Sequence, residues 1–119
     1  MSRLFMLPLM LLLVGGCAQR QPLYAWGDYE GLLYRSYKQP EKAVEMRLKL
    51  EEHITAQEEA KGKVAPGLYA ELGTLYFQSG KSDTAVSYYR KEQQAWPESS
   101  ALMTAMIGAI ERRAAGSKP

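Results

Sequence analysis

Residues 66 to 97 read PGLYAELGTLYFQSGKSDTAVSYYRKEQQAWP, and this stretch decides the fold. On each side of Gly80 the apolar residues recur at the three- and four-residue spacing of a helix face. Gly80 can take the left-handed conformation that ends a helix, and Ser82 or Asp83 can cap the helix that follows. Pro97 closes the second helix, because it lacks the amide donor that a helix interior needs. The stretch therefore predicts two helices joined by a tight turn.

The same spacing continues outward on both sides of this pair, and no stretch alternates strictly as a half-buried strand does. Gln39-Pro40 separates two more helices, because proline suits the first turn of a helix and not its interior. Ser99 or Ser100 can cap a last helix. An all-α fold is predicted. Its apolar stripes are Trp26, Tyr29, Leu33 and Tyr37; Ala43, Met46, Leu50 and Ile54; Leu68, Leu72, Leu75 and Tyr76; Ala85, Tyr89, Gln93 and Trp96; and Leu102, Met106 and Ile110.

An internal comparison indicates that the helix pair is repeated. With Gly31 aligned on Gly73, a tyrosine follows each glycine by three residues and an alanine follows it by twelve. Small residues at the glycine and the alanine let paired helices approach closely. The sequence therefore predicts about two helical hairpin units and a C-terminal capping helix. Since about three repeats normally bury a continuous core, a partner, self-association or the membrane is expected to complete the structure.

The N-terminus has the parts of an export signal. Arg3 precedes an apolar run of eleven residues, 4–14, whereas a membrane-spanning helix needs about 20. Val14-Gly15-Gly16-Cys17 resembles the lipobox of bacterial lipoproteins, in which the cysteine receives a diacylglycerol and becomes the new N-terminus. Lipidation of Cys17 is therefore predicted. The expected organisation is a lipoprotein signal peptide over 1–16, a lipidated linker over 17–23, a helical domain over 24–114 and a disordered tail over 115–119.

Charge and composition disfavour several function classes. Removal of the signal leaves 14 basic against 13 acidic side chains in mixed order, so no basic stripe exists and nucleic-acid binding is not expected. The lone cysteine cannot form a disulfide or a cysteine-based metal site, and His53, the only histidine, is predicted to be solvated on a helix face. Nucleophile elbows and glycine-rich phosphate loops are missing from the sequence. No catalytic residue, metal or cofactor is therefore predicted.

Residues 66 to 97 resemble a tetratricopeptide repeat over nearly its full length. The matching positions are Tyr69, Leu72, Gly73, Tyr76, Gly80, Ala85, Tyr89 and Pro97, whereas Glu92 stands where the motif usually has a small apolar residue. Such pairs commonly bind partners on the surface formed by the first helix of each unit. The resemblance therefore implies a partner-binding surface, with burial under the second helix as the alternative for Phe77. This surface comprises Asp28, Leu32, Arg35, Thr74, Phe77 and Gln78.

Aromatic residues are concentrated just after the predicted tether, as in Tyr24 and Trp26. One interpretation is that they fill the first helix pair, since their spacing is helical. The other is that Tyr24 and Trp26 are exposed and contact the membrane interface or a partner, because aromatic residues dominate binding hot spots.

A wider resemblance covers almost the whole mature chain. Residues 23–30 (LYAWGDYE), 66–73 (PGLYAELG) and 96–99 (WPES) resemble the signatures of a family of small bacterial lipoproteins of unknown function. Members are typically encoded beside a lipoprotein similar to the curli-secretion pore subunit. The resemblance implies an accessory subunit of an outer-membrane assembly, and it implies no catalytic residue.

Two function classes remain open. The first is a lipid-anchored adaptor that binds a protein partner, with a pore-type outer-membrane lipoprotein as the candidate, at the periplasmic face of the outer membrane. Ala18 and Gln19 favour the outer membrane, because an aspartate after the cysteine would favour inner-membrane retention. The second is a stand-alone envelope module that binds peptidoglycan or another ligand.

Overall fold

The computed structural model describes residues 23–117, and within them the prediction of an all-α fold is confirmed. The helices are α1 (Tyr29–Lys38), α2 (Ala43–Glu59), α3 (Leu68–Gln78), α4 (Ser82–Ala95) and α5 (Ser100–Gly116). Short 3-10 turns, Pro40–Lys42 and Pro97–Ser99, lead into α2 and α5. The predicted signal peptide and Cys17 lie outside the described residues, as does the side chain of Tyr37.

The α3–α4 hairpin is the most closely packed pair of helices. A Cβ atom placed on Gly73 would lie 2.8 Å from Cε1 of Tyr89 and 3.1 Å from the carbonyl oxygen of Ala85. Ala85 is fully buried and Tyr89 is 1 % exposed. Gly80 has φ +82°, as its predicted place in the turn requires. The close approach predicted at Gly73 and Ala85 is therefore confirmed.

Glu92 connects α4 to the beginnings of α3 and α5. Its carboxylate is fully buried and accepts hydrogen bonds from the Gly67 amide at 2.9 Å and the Ser99 hydroxyl at 3.3 Å. Among the described residues, no side chain or amide donates to its second oxygen. Trp96 adds a second connection, because its indole N–H donates to the Val64 carbonyl at 3.1 Å. The residue that departs from the repeat pattern therefore binds three segments together.

Two predicted helix boundaries differ from the structure. Neither Ser82 nor Asp83 caps α4, because the helix already begins at Ser82 and Lys81 occupies the N-cap position. Ser99 occupies the N-cap position of α5, but its hydroxyl is turned to Glu92 and does not cap the helix. At the other end, α5 continues to Gly116, two residues beyond the predicted domain end at 114, because the alanines there have high helix propensity.

The predicted apolar stripe of α1 contains Leu33, where the structure instead buries its neighbour Leu32. Leu32 is 7 % exposed and belongs to the core, whereas Leu33 is 40 % exposed. The positional match to the second hairpin also fails in the structure, because Tyr34 is 65 % exposed and its counterpart Tyr76 is buried. Ala43, the counterpart of the buried Ala85, is likewise only half-buried. The offset of 42 residues therefore does not describe equivalent environments.

A different internal correspondence is visible in the backbone. Gln39 has φ −135° and ψ 87°, and Trp96, 57 residues later in the numbering, has φ −135° and ψ 83°. Each residue is followed by proline and glutamate in a 3-10 turn, and then by a helix of 17 residues. Met46 and Met103 are buried at the same distance into these two helices. The α1–α2 junction is therefore built like the α4–α5 junction and not like the α3–α4 turn.

The segment before α1 is fastened to the helices at two points. The ring of Tyr24 packs edge-on against Trp96 with 5.3 Å between centroids. Nε2 of His53 lies 2.9 Å from the carbonyl oxygen of Ala25, so this nitrogen carries the proton and donates it. Gly27 has φ +58°, and a Cβ there would lie 3.0 Å from Nδ1 of His53. His53 is therefore partly exposed on α2, as predicted, but its ring also holds this segment, a contact that the sequence did not indicate.

Candidate functional site

The six residues predicted to form one partner-binding surface do not share a single depression. Asp28 and Leu32 line a groove beside α2, Gln78 lines a groove between α1 and α3, and Phe77 lines a depression against α5. Thr74 lies on α3, on the part of its surface between Phe77 and Gln78. Its hydroxyl contacts the Ala70 carbonyl oxygen and the Tyr89 hydroxyl. The prediction that the first helices of two units form one surface is therefore not matched by a continuous groove.

The groove between α1 and α3, which we call the central groove, has a volume of about 340 Å³. α1 supplies Leu33 and Ser36 to one wall, α3 supplies the other, and the beginning of α2 closes one side. Its lining residues are Leu33, Ser36, Pro40, Ala43, Met46, Glu71, Leu75 and Gln78. Most of this surface is apolar, so the polar groups in it are few and conspicuous.

Glu71 is the one carboxylate in the lining of the central groove. The side chain is half-buried, and no described side chain forms a hydrogen bond or an ion pair with it. Burial raises the pKa of the Glu71 carboxyl above its ordinary value, because the charged form loses hydration. Gln78 lies seven residues further along the same face of α3. The groove therefore offers an uncompensated negative charge and an amide along one wall.

Two exposed apolar side chains lie at or beside the central groove. Leu33 lines the groove and is 40 % exposed, and Val44 of α2 is 57 % exposed. Val44 lines a second depression of about 230 Å³ that shares Ala43, Leu75 and Gln78 with the central groove. Exposed apolar side chains beside a groove are typical of protein interaction sites.

The depression against α5 is smaller, at about 150 Å³, and mostly apolar. Phe77 and Tyr89 form one side, and α5 contributes Met106, Ala109, Ile110 and Arg113. The Arg113 guanidinium lies 5.7 Å from the centroid of the Phe77 ring, a cation–π distance. Phe77 is half-buried in this depression. It lies beside α5 and is not covered by the second helix of its hairpin, α4, alone.

Sequence reasoning missed a row of three stacked tyrosines between α2, α3 and α4. Tyr76 and Tyr88 stack at 5.6 Å with only 8° between their planes, and Tyr69 lies 6.5 Å beyond Tyr88. The Tyr76 hydroxyl donates to Glu51 at 2.8 Å, and the Tyr69 hydroxyl donates to Glu58 at 3.0 Å. The seven-residue spacing of these glutamates on one face of α2 is the signal that could have indicated the cluster.

The electrostatics of this tyrosine row indicate a structural role. Burial, with the neighbouring Glu51 carboxylate, raises the pKa of Tyr88 to about 12. Burial and Glu58 raise the pKa of Tyr69 as well. The hydroxyls therefore stay protonated and donate to the carboxylates, which joins α2 to the α3–α4 hairpin.

The groove beside α2, which we call the N-terminal groove, lies between residues 26–32 and α2 and has a volume of about 360 Å³. Its lining residues are Trp26, Asp28, Tyr29, Leu32, Lys49, Leu50, Glu52, His53 and Ala56. In residues 23–117, no group of three or more His, Cys, Asp or Glu side chains is arranged to hold a metal ion. Over the same range, no helix is both long and apolar enough to cross a membrane.

Comparison with known proteins identifies the family of the chain. A family model described as a domain of unknown function, DUF4810, matches residues 23–106, so the chain belongs to this family. The matched range runs from the fastened N-terminal segment into α5 and covers the central groove and the N-terminal groove, whereas Ala109, Ile110 and Arg113 of the depression against α5 lie beyond it. No curated protein matches the chain, and no solved structure matches it.

Proposed function

We propose that this member of the DUF4810 family is a lipid-anchored adaptor, an accessory subunit of an outer-membrane secretion or assembly complex, and that it faces the periplasm. The observation that carries the proposal is the central groove with its exposed apolar border. A protein segment that enters the groove and the adjoining depression would bury Leu33 and Val44, and each buried apolar side chain contributes about 1.5–3 kcal/mol.

The chemistry of the groove indicates which segment fits. The half-buried Glu71 carboxylate lacks a partner among the described residues, so a lysine or arginine side chain of the partner would compensate its charge. The Gln78 amide further along α3 can pair with a backbone or side-chain group of the same segment. The proposed partner segment is therefore apolar with a basic side chain, and a pore-type outer-membrane lipoprotein is the partner class that we propose.

The fastening of residues 23–27 supports the anchored geometry. Cys17 precedes Leu23 by six residues, and a chain of that length reaches at most about 20 Å. Tyr24 and Ala25 are held by Trp96 and His53, so the chain is fixed to the helices from this point onward. A lipid on Cys17 would therefore hold the helical domain within a short distance of the membrane surface.

The α3–α4 hairpin supports a tetratricopeptide-like interpretation of the domain. Gly73, Ala85 and Tyr89 form the close helix contact that the motif requires, and Gly80 makes the turn. Members of that repeat family commonly use first helices to bind partners. In this chain the corresponding helix is α3, which supplies Glu71 and Gln78 to the central groove.

Site-specific photo-crosslinking in intact envelopes tests the adaptor proposal. A photoreactive residue at Leu33 or Val44 is expected to give a stoichiometric adduct with one envelope protein, and Leu102 is the matched control. Leu102 is also an exposed leucine, at 62 %, but it lies on α5 away from the groove. Adducts at Leu102 that equal those at the groove positions would contradict the assigned surface.

Identification of the adduct separates the two function classes. A pore-type lipoprotein in the adduct supports the adaptor. Reproducible absence of any protein adduct, together with co-sedimentation of the protein with purified peptidoglycan, would instead support the stand-alone envelope module.

A further inference from the structure

The N-terminal groove is distinct from the central groove, because the two share no lining residue. The Tyr29 ring lines the N-terminal groove, and burial, with the Glu71 carboxylate, raises the pKa of its hydroxyl. At about 360 Å³ the N-terminal groove lies at the small end of the range of ligand clefts, which is about 300–1,000 Å³. It therefore has room for one small chemical group.

Two aromatic rings form the apolar part of this groove. Trp26 is 37 % exposed, and its ring centroid lies 6.1 Å from that of Tyr29 with 41° between the planes. The floor beneath them is closed by the buried side chains of Leu32 and Leu50. Inclined aromatic rings that leave one face open are suited to a cation, because each ring face carries partial negative charge.

The charged side chains of the groove leave one carboxylate without a counterion. Asp28 is paired with Arg35 at 2.8 Å, and Lys49 is paired with Glu45 at 3.2 Å. Glu52 lines the same groove, and the described part of the chain contains no ion pair or hydrogen bond to its carboxylate. The groove therefore combines aromatic faces with an unbalanced negative charge.

The backbone around Trp26 is held in place before any ligand arrives. His53 donates to the Ala25 carbonyl at 2.9 Å, and the left-handed Gly27 turns the chain beside the His53 ring. The Tyr29 amide then donates to the Trp26 carbonyl at 3.2 Å. A ligand that binds to a preorganised groove loses less free energy to ordering of the protein.

We infer that the N-terminal groove binds an organic ammonium group, which lies against Trp26 and Tyr29 and is balanced by the Glu52 carboxylate. An anion is disfavoured, because Asp28 and Glu52 would repel it and the one ammonium, Lys49, is already paired. A purely apolar ligand is disfavoured as well, because it would remove water from charged groups without replacing it. The inference does not rest on the proposed adaptor function.

A lipid headgroup amine is the source that we propose. The groove is built from the segment that follows the predicted anchor, so a headgroup of the same membrane is within reach. A lysine side chain of a bound protein presents the same chemistry to Trp26 and Glu52, so the experiment needs a separate probe for it.

Saturation-transfer NMR on the full lipidated protein in detergent tests the inference. The probes are ethanolamine and choline for the headgroup and Nα-acetyl-lysine amide for the side chain. The neutral control is 3,3-dimethylbutan-1-ol, which has the shape of choline without its charge. Saturable binding of ethanolamine or choline is expected, and it is expected to be tighter than that of Nα-acetyl-lysine amide. Tighter binding of the lysine probe would overturn the headgroup as the source. Binding of the neutral alcohol as tight as that of choline would overturn the inference.

Variants assign the binding to the groove. Glu52→Gln is expected to weaken cation binding about tenfold, because it removes a charged partner. Trp26→Ala is expected to weaken it about threefold to tenfold. Glu59→Gln on the same helix is the matched control and is expected to change nothing. Glu52 is exposed, so its substitution leaves the fold intact, and equal affinities of Glu52→Gln and the unmodified protein would overturn the inference.

Discussion

Substitution of Gly73 by alanine tests the contact at the centre of the fold. The new methyl carbon would lie 2.8 Å from the Tyr89 ring and 3.1 Å from the Ala85 carbonyl oxygen. Neither neighbour can withdraw easily, because the Tyr89 ring is buried with its hydroxyl 2.9 Å from that of Thr74, and the oxygen belongs to a helix backbone. Overpacking of this kind costs about 1–3 kcal/mol.

The helix propensity of alanine offsets part of that cost. Alanine is favoured over glycine in a helix interior by about 1 kcal/mol. Since two atoms of the Tyr89 ring lie within 3.0 Å of the added methyl, the overpacking cost is expected near the upper end of its range. Gly73→Ala is therefore expected to lower the free energy of unfolding by about 1–2 kcal/mol and the melting temperature by about 5–10 °C.

Gly31→Ala is the matched control, because Gly31 is the counterpart of Gly73 in the sequence comparison. Its added methyl would meet the Asp28 carboxylate at 2.5 Å, but that side chain is exposed and can rotate away. The substitution is therefore expected to leave the stability unchanged or to raise it slightly. Urea denaturation followed by circular dichroism measures both variants. Equal losses of stability in the two variants would refute the close contact at Gly73.

Three further outcomes are expected. Cys17→Ala should abolish lipid labelling and release the protein from the membrane fraction, and continued membrane residence of the unlipidated form would place the tether elsewhere. His53→Ala should free the Ala25 carbonyl, so that limited proteolysis cuts before α1 while the helical circular dichroism is retained; unchanged protection of the segment would contradict its fastening by His53. Because the folded-state pKa of Tyr88 is raised to about 12 from the ordinary value of 10.0, its stabilising contribution is complete below pH 10 and is lost as the pH rises through about 12. Glu51→Gln should make this alkaline loss of stability smaller in denaturation curves measured across that pH window, and an unaltered pH profile would count against the carboxylate contact.

The parts of the fold that depend on local rules could be predicted from the sequence. Gly80 and Pro97 are placed by backbone conformation alone, and the helical spacing of apolar residues identified the α3–α4 hairpin. The match of Gly73 with Ala85 was predictable because close helix contacts need small side chains. These features require no knowledge of the remaining chain.

The features that were missed depend on distant parts of the chain. α1 has adjacent leucines, and only its contact with α2 determines that Leu32 is buried and Leu33 is exposed. Ser99 has the right position for a cap, but the buried Glu92 carboxylate accepts its hydroxyl instead.

The candidate grooves were less predictable than the fold for the same reason. Gln78 and Asp28, both predicted to lie on one partner-binding surface, line two different grooves. Glu71 gave no sequence signal, since a glutamate on a helix is ordinarily solvated, and its partial burial arises only where α1 meets α3. Glu52 was likewise indistinguishable from the other acidic residues of α2.

The attachment of Tyr24 to Trp96 has a mechanical consequence. Trp96 lies at the junction of α4 and α5, and His53 lies on α2, so residues 24 and 25 are joined to both of these regions before α1 begins. Tension applied from the N-terminal side would reach these contacts before it reached α1. α1, which is short and packs mainly on α2, would therefore be shielded from being peeled off.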